Sequence, residues 1–227
     1  MVRDSSPRVV RDGSPQVEGA CVFCDKKNFG ERLIAETPSL YYVATLGQIT
    51  DGGYTLVIPK RHVSCLGAME ERGLIGVENA MRDAACAIDT EYGVKPLIFE
   101  HGIVGQTVQH AHLHLLPTEI YLGRKVTEDF PKAECSFLTS LGLIGRLHKM
   151  KEKKYLLWNV PARPWVRNDG VSFFEAVWDP PAPKQYLRIV AAELTGKPER
   201  ANWQNMDPAL DKELWSETVA RLAPYLR

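Results

Sequence analysis

The sequence predicts an α+β fold: an antiparallel β-sheet with one long helix across one face, followed by an α/β C-terminal extension. Three observations carry this. Short β-branched and aromatic runs, separated by turn residues, fill the first half of the chain. Within it, residues 69–92 shift to a helical period, with Leu74, Ile75, Val77, Met81, Ala84, Ala85 and Ile88 on one stripe. The order is therefore strands, one long helix, then strands, which suits an antiparallel sheet covered by that helix.

In chain order, residues 32–36 read as a first strand and residues 40–46 as a second, with Thr37-Pro38-Ser39 as the turn between them. Residues 47–53 are a loop carrying Asp51-Gly52-Gly53. Residues 54–58 are almost wholly apolar, which marks a central strand, and Pro59-Lys60-Arg61-His62 ends it. Gly93 stands where a C-cap glycine closes the long helix. Residues 96–100 are a fourth strand and residues 101–105 a loop. Beyond Pro117 the signals thin. Residues 137–149 are read as a helix, 155–160 and 171–178 as strands, 179–183 as a proline-rich turn, and 184–194 as an amphipathic helix ending at Gly196. Asp207-Pro208, an N-cap followed by proline at the first helical position, opens a last helix to about residue 222. No internal repeat is visible in the sequence. The chain divides into a mobile tail (residues 1–20), a first domain (21–125) and an extension packed on it (126–227).

The chain has 227 residues, 44% of them hydrophobic, enough for a sizeable core. Twenty-eight basic residues balance 28 acidic ones, so no global field calls for polymeric nucleic acid or an anionic membrane; a local basic cleft for a phosphate is compatible with that balance. No apolar run approaches the ~18 residues of a membrane span, so no membrane partner is expected. The first twenty residues have no apolar stretch of the signal-peptide kind. Five cysteines, two of them in Cys21-Val22-Phe23-Cys24, suit metal binding or free thiols in a reducing, cytoplasmic setting better than a disulfide framework. Cys65, Cys86 and Cys135 read as small buried residues.

After the residue-101 loop comes Gly105-Gln106-Thr107-Val108-Gln109-His110-Ala111-His112-Leu113-His114-Leu115-Leu116-Pro117, with three of the six histidines. On a strand, side chains alternate faces, so the three imidazoles share one side while Ala111, Leu113 and Leu115 enter a core. On a helix the same rings would spread over about 400°. Imidazoles aligned on an otherwise apolar strand point to metal binding, proton transfer or nucleophilic attack.

His110-Ala111-His112-Leu113-His114-Leu115-Leu116 resembles the His-φ-His-φ-His-φ-φ motif (φ apolar) of the histidine triad, or HIT, family of nucleotide hydrolases and transferases. Gly105-Gln106-Thr107-Val108 also matches, as do residues 54–62 and the Cys21-Val22-Phe23-Cys24 knuckle of the zinc-bearing members. The resemblance covers about residues 21–117 and implies a HIT-like sheet for the first domain. It implies that His112 is the nucleophile toward the α-phosphorus of a nucleotide or nucleotide conjugate, through a nucleotidyl-histidine intermediate. A neutral imidazole suits that role near pH 7. His114, as imidazolium, would hold charge on the phosphoryl oxygens. Gln106 matches a phosphate-contacting position, Thr107 belongs to the same loop, and His101 is the candidate to protonate the leaving group.

Transferring branches of the family usually carry glutamine at the third motif position; His114 resembles the hydrolase branches, so water is the favoured acceptor. A nucleotidyltransferase or phosphorylase, and a non-catalytic nucleotide-binding protein, are the alternatives. A zinc-dependent hydrolase needs an open coordination position. Many members carry an acidic or Asn residue for the ribose near the end of the second strand, whereas Thr45-Leu46-Gly47-Gln48 has no carboxylate, leaving Thr45 or Gln48 as substitutes. The resemblance further implies a closed, structural zinc site on Cys21, Cys24, His62 and His110. Relatives are often dimers, which makes a homodimer a possible assembly. In the extension, Trp158, Trp165, Phe173, Phe174, Trp178 and Trp203 read as core, or alternatively as a base-stacking lid. Lys184, Gln185 and Arg188 begin a helix that could face phosphate.

Overall fold

A computed structural model of the chain describes residues 21–161 and 173–226. Its strands are β1 (Leu33–Glu36), β2 (Leu40–Ala44), β3 (Thr55–Pro59), β4 (Leu97–Glu100), β5 (Leu113–Leu116), β6 (Glu134–Leu138), β7 (Tyr155–Val160) and β8 (Phe173–Trp178). Its helices are α1 (Glu71–Tyr92), α2 (Gly123–Asp129), α3 (Gly142–Lys151), α4 (Tyr186–Leu194) and α5 (Pro208–Leu222). The strands form one sheet in the order β1-β2-β3-β5-β4-β7-β8-β6, every neighbouring pair antiparallel. The α+β class and the long helix predicted from the sequence are therefore what forms. Gly93 closes α1 in the left-handed conformation, and Asp207 caps α5 by accepting the Leu210 N–H at 2.9 Å.

Each sheet face has its own core. On one face α1 lays Leu74, Val77, Met81 and Ile88 over Val57, Ile98, Leu113 and Leu115, and α3 continues the layer with Leu141 and Ile144 over Leu157 and Phe174. On the other, α2 and α4 cover Leu97, Phe99, Leu116, Leu156 and Trp158. Gly145 lets α3 approach α1 closely, since a Cβ there would lie 2.7 Å from Leu74 Cδ1.

The order of elements occurs twice. Residues 55–129 run β3-α1-β4-β5-α2 and residues 134–194 run β6-α3-β7-β8-α4. Both units place the last strand between the other two, both send the first helix to one face and the second to the other, and they meet where β4 pairs with β7, Phe99 opposite Trp158. The folded chain thus repeats an arrangement that its sequence does not repeat.

Several expected elements differ. Residues 137–138, expected to start a helix, instead end strand β6; its pairing with Phe174 to Trp178 in β8 overrides the helical reading there, and α3 begins only at Gly142. The regular ladder of β5 starts at Leu113, so His110 and His112 precede it in extended chain tied down by the Ala111 N–H to the Val63 carbonyl, 2.7 Å. α2, which the sequence did not announce, is one short amphipathic segment. Cys65 is buried, but Cys86 and Cys135 are exposed. Among the aromatic residues, Trp158, Phe174 and Trp178 are core, Phe173 stacks on Phe137, and Trp165 lies outside the described residues. No described helix is long and apolar enough to cross a membrane.

Beside the β4–β7 junction Glu100 is completely buried; it accepts from the Tyr155 hydroxyl (2.6 Å) and the Leu66 N–H (2.8 Å). Burial outweighs both bonds and pushes its carboxyl up to about 7. The adjacent Tyr155 hydroxyl and Cys65 thiol are themselves pushed up, first by burial, and stay protonated there. A carboxyl whose folded pKa is raised stabilises below its unfolded value and loses that contribution as pH rises through the folded one. Glu100→Gln is therefore expected to gain stability relative to wild type between about pH 4.5 and 7, with a constant difference above that. Paired chemical denaturation curves across pH check this; a difference flat from pH 4 to 8 would refute it.

Candidate active site

The core-facing alternation at Ala111, Leu113 and Leu115 sends the intervening histidines to the other side of the chain. There Phe23, Phe29, Leu56 and Ile58 make a small apolar cluster. The His112 and His114 rings stand 4.8 Å apart at the floor of a cleft of about 270 Å³. Its walls include Phe23, Arg32, Leu46, His101, Arg188 and Trp203. That volume lies close to the ~300–1,000 Å³ of small-molecule pockets and suits a ligand of that size.

His112 is buried, and its Nδ1 lies 2.6 Å from the His110 carbonyl. A carbonyl only accepts, so Nδ1 carries the proton and Nε2 the lone pair. Burial holds its pKa below the ordinary imidazole value, against the His110 carbonyl, which raises it. His114 stacks on Phe99, ring centroids 4.5 Å apart, and its Nδ1 lies 2.8 Å from the Tyr54 hydroxyl. His101 stands edge-on to both Phe99 and His114. The Nε2 atoms of His101 and His114 are buried with no partner.

Burial first, then neighbouring imidazoles and the Arg188 guanidinium, pushes His101 down to about 3 and His114 well below the usual histidine range. Both are neutral at pH 7. Burial and the packing of the imidazoles against the Arg188 guanidinium thus work against the imidazolium expected at His114.

Gln106 donates Nε2 to the Ser64 carbonyl at 3.0 Å and leaves Oε1 buried without a partner, while its neighbours Gly105 and Thr107 line the cleft. Gln48 is occupied too: its Nε2 reaches the Thr45 and Tyr54 carbonyls and its Oε1 accepts the Tyr54 N–H. Thr45 remains on the cleft wall. The 45–48 loop is tied down from far along the chain, where Asp211 of α5, itself outside the cleft lining, accepts the N–H groups of Gly47 and Gln48 at 2.9 and 3.2 Å.

Cys21, Cys24, His62 and His110 come together, their ligand atoms all within 4.8 Å of one another. Cys21 Sγ lies 3.4 Å and Cys24 Sγ 3.6 Å from His110 Nδ1, and Cys24 Sγ lies 3.2 Å from His62 Nδ1. Tetrahedral ligands at ~2.3 Å (sulfur) and ~2.0–2.1 Å (nitrogen) from zinc are about 3.6 Å apart, so the spacing fits that ion. His110 Nε2 donates to the Pro59 carbonyl at 2.7 Å, which fixes the ring and turns the Nδ1 lone pair toward the thiols.

The family model described as HIT domain matches residues 26–120. This part of the chain is a HIT domain. An uncharacterized HIT-like protein of Mycoplasma genitalium is 28% identical over 103 residues, 43% of this chain and 72% of that protein. A zinc-bound histidine triad family protein from Mycobacterium smegmatis is 26% identical, covering 44% of this chain and 76% of that one, with a TM-score of 0.40. A hypothetical histidine triad nucleotide-binding protein from Sulfolobus tokodaii is 25% identical, covering 43% and 68%, with a TM-score of 0.39.

Gln185, Arg188 and Trp203 all reach the cleft of the HIT domain from outside the matched residues. Lys184 and Gln185 precede α4, which starts at Tyr186, with Gln185 in the left-handed conformation. The sequence signal for the contact with Arg188 and Trp203 was Gly47. Its φ is +67°, and a Cβ there would overlap Trp203 Cβ and Arg188 Nη2. Gly47→Ala should therefore destabilise the protein by about 1–3 kcal/mol and open the cleft wall. Thermal unfolding and quenching of the Trp203 fluorescence by acrylamide check this; unchanged values for both would contradict it.

Proposed function

We propose that the protein is a nucleotide hydrolase that cleaves a nucleoside monophosphoryl bond through a nucleotidyl-His112 intermediate. The observation that carries this is the His112 Nδ1 contact with the His110 carbonyl, which leaves an unprotonated Nε2 in a cleft beside two further imidazoles. Nε2 bonds to phosphorus as the bond from phosphorus to the leaving group breaks. The leaving group departs with the electron pair and takes a proton. Water then displaces the imidazole, releasing the nucleoside monophosphate and restoring neutral His112.

In this reading the neutral His114 acts as a donor. Tyr54 gives its hydroxyl proton to Nδ1, and Nε2–H, buried and without a protein partner, faces the substrate oxygens. His101 Nε2, likewise buried without a protein partner, stands beside the His114 ring on the same cleft. Gly105 and Thr107 shape the phosphate side of the cleft, and Gln106, anchored on Ser64, holds their loop.

His112→Ala is expected to lower turnover of a nucleoside phosphoramidate or dinucleoside polyphosphate by at least about a thousandfold while leaving ligand affinity within a few-fold. Acid-sensitive labelling of wild type, absent in the variant, would accompany it. Full activity in the variant would remove the mechanism. Product analysis with and without added phosphate separates hydrolysis from transfer to phosphate.

Cys21, Cys24, His62 and His110 would hold zinc in a closed, structural site. Bound there, the ion supplies a crosslink between the N-terminal knuckle, the end of β3 and the histidine segment, with no open position for chemistry. Removing it with a chelator is expected to lower Tm by at least several degrees, and zinc should restore it. A measured zinc content near zero, with Tm indifferent to chelator, would exclude the site.

A further inference from the structure

Arg188 is 4% exposed, yet it lines the cleft. Three of its five N–H donors are spent on main-chain carbonyls: Nε on Ala201 at 2.8 Å, and Nη2 on Arg200 at 3.1 Å and on Gly47. Its guanidinium carbon stands 5.4 Å from the centre of the Tyr54 ring, whose hydroxyl meets His114. Among the described residues no carboxylate lies within ion-pair distance of it; the nearby Asp211 is bound to the Gly47 and Gln48 amides. A buried cation held by carbonyl dipoles and the neutral Tyr54 hydroxyl, with no counter-charge, is costly, and an anion entering the cleft would complete it.

We propose that Arg188 binds the anionic phosphoryl oxygens of the substrate, so that the C-terminal half supplies the charge recognition of the HIT-domain cleft. This rests on the nucleotide reading of the cleft and adds to it the residue that separates a phosphorylated ligand from its uncharged nucleoside. Nη1 meets no main-chain carbonyl or carboxylate among the described residues; apart from the contact of the guanidinium with the Tyr54 hydroxyl, it is the nitrogen that can turn to a ligand. The N–H groups of Nη1 can meet phosphate oxygens as charge-assisted donors, and the carbonyls that hold Nε and Nη2 fix the orientation of the guanidinium beforehand. Gly47, without a Cβ, is what admits the side chain to this position.

The test is calorimetric titration with AMP, GMP, CMP and UMP, each against its own nucleoside, on wild type, Arg188→Lys and Arg188→Gln. Wild type should prefer the monophosphate. Arg188→Gln should lose about ten- to hundredfold of that preference while keeping its nucleoside affinity, and Arg188→Lys should retain part of it. A purely structural role would weaken nucleoside and nucleotide alike. Because Arg188 also ties down Gly47, a co-crystal of the wild-type chain with the tightest monophosphate gives an independent measure. Phosphate within hydrogen-bond distance of the guanidinium supports the assignment, and phosphate bound away from it overturns it. A preference unchanged in both variants removes Arg188's role alone. A wild-type protein that binds none of the ligands removes the nucleotide reading beneath it.

Discussion

Six residues, 110–115, must alternate between a dry core and a cleft, and the rest of the site follows from that constraint. Ala111, Leu113 and Leu115 are fully buried under α1, so the three histidines have no choice of side. The constraint acts on extended chain even before the regular ladder begins at Leu113, because the Ala111 N–H is already held by the Val63 carbonyl. A slip by one residue would bury three imidazoles among leucines and put the leucines in the cleft. The same alternation separates roles. His110 is turned to the thiols and the Pro59 carbonyl, His112 to its own segment's carbonyl, and His114 to Tyr54.

Packing these rings together decides their charge. Each neighbour opposes protonation of the next, burial adds to it, and Arg188 raises the cost further at His101 and His114. A nucleophilic nitrogen benefits, since its lone pair stays free. The cost is that none of the rings can supply a standing positive charge at neutral pH. A cleft for an anion built this way needs its cation from a group that burial does not neutralise, and guanidinium is the side chain that meets that requirement.

Much of this was legible in the chain itself. Apolar period and turn residues located β1 to β5, α1 and α5, because those segments are long or end in specific chemistry such as Gly93 and Asp207-Pro208. The four clustered ligands Cys21, Cys24, His62 and His110, and the histidine segment, follow from spacing and family likeness. What escaped was whatever depends on distant partners. Residues 137–138 look like the start of a helix until β8 is beside them. Asp211 and Arg188 are ordinary helix residues in sequence, separated from the 45–48 loop by well over a hundred positions, and no local pattern ties them to it. Gly47 was the one local trace, a glycine at the end of a strand where two side chains from far away must pass.

The repeated β-α-β-β-α order explains why those distant residues arrive where they do. β4 would be an exposed edge with unpaired N–H and C=O groups if the first unit stood alone, and β7 covers it. Once Phe99 faces Trp158 across that junction, the two units are related by a half-turn, and the helix after the last strand of each reaches across toward the other. α4 brings Arg188 to the histidine cleft, while the segment leading into α2 brings Tyr121 to Glu175. Glu175 stands opposite Trp158 in the β7–β8 pair as His114 stands opposite Phe99 in the β4–β5 pair. Its carboxylate is closed off by Tyr121 at 2.7 Å and Trp158 Nε1 at 3.0 Å. One unit therefore holds its strand position opposite Phe99 open to the cleft, and the other closes the corresponding position at Glu175 and contributes Arg188 to that cleft, whose wall also carries Arg32. Neither arrangement is complete without the junction between β4 and β7, which is where the chain's two halves become one site.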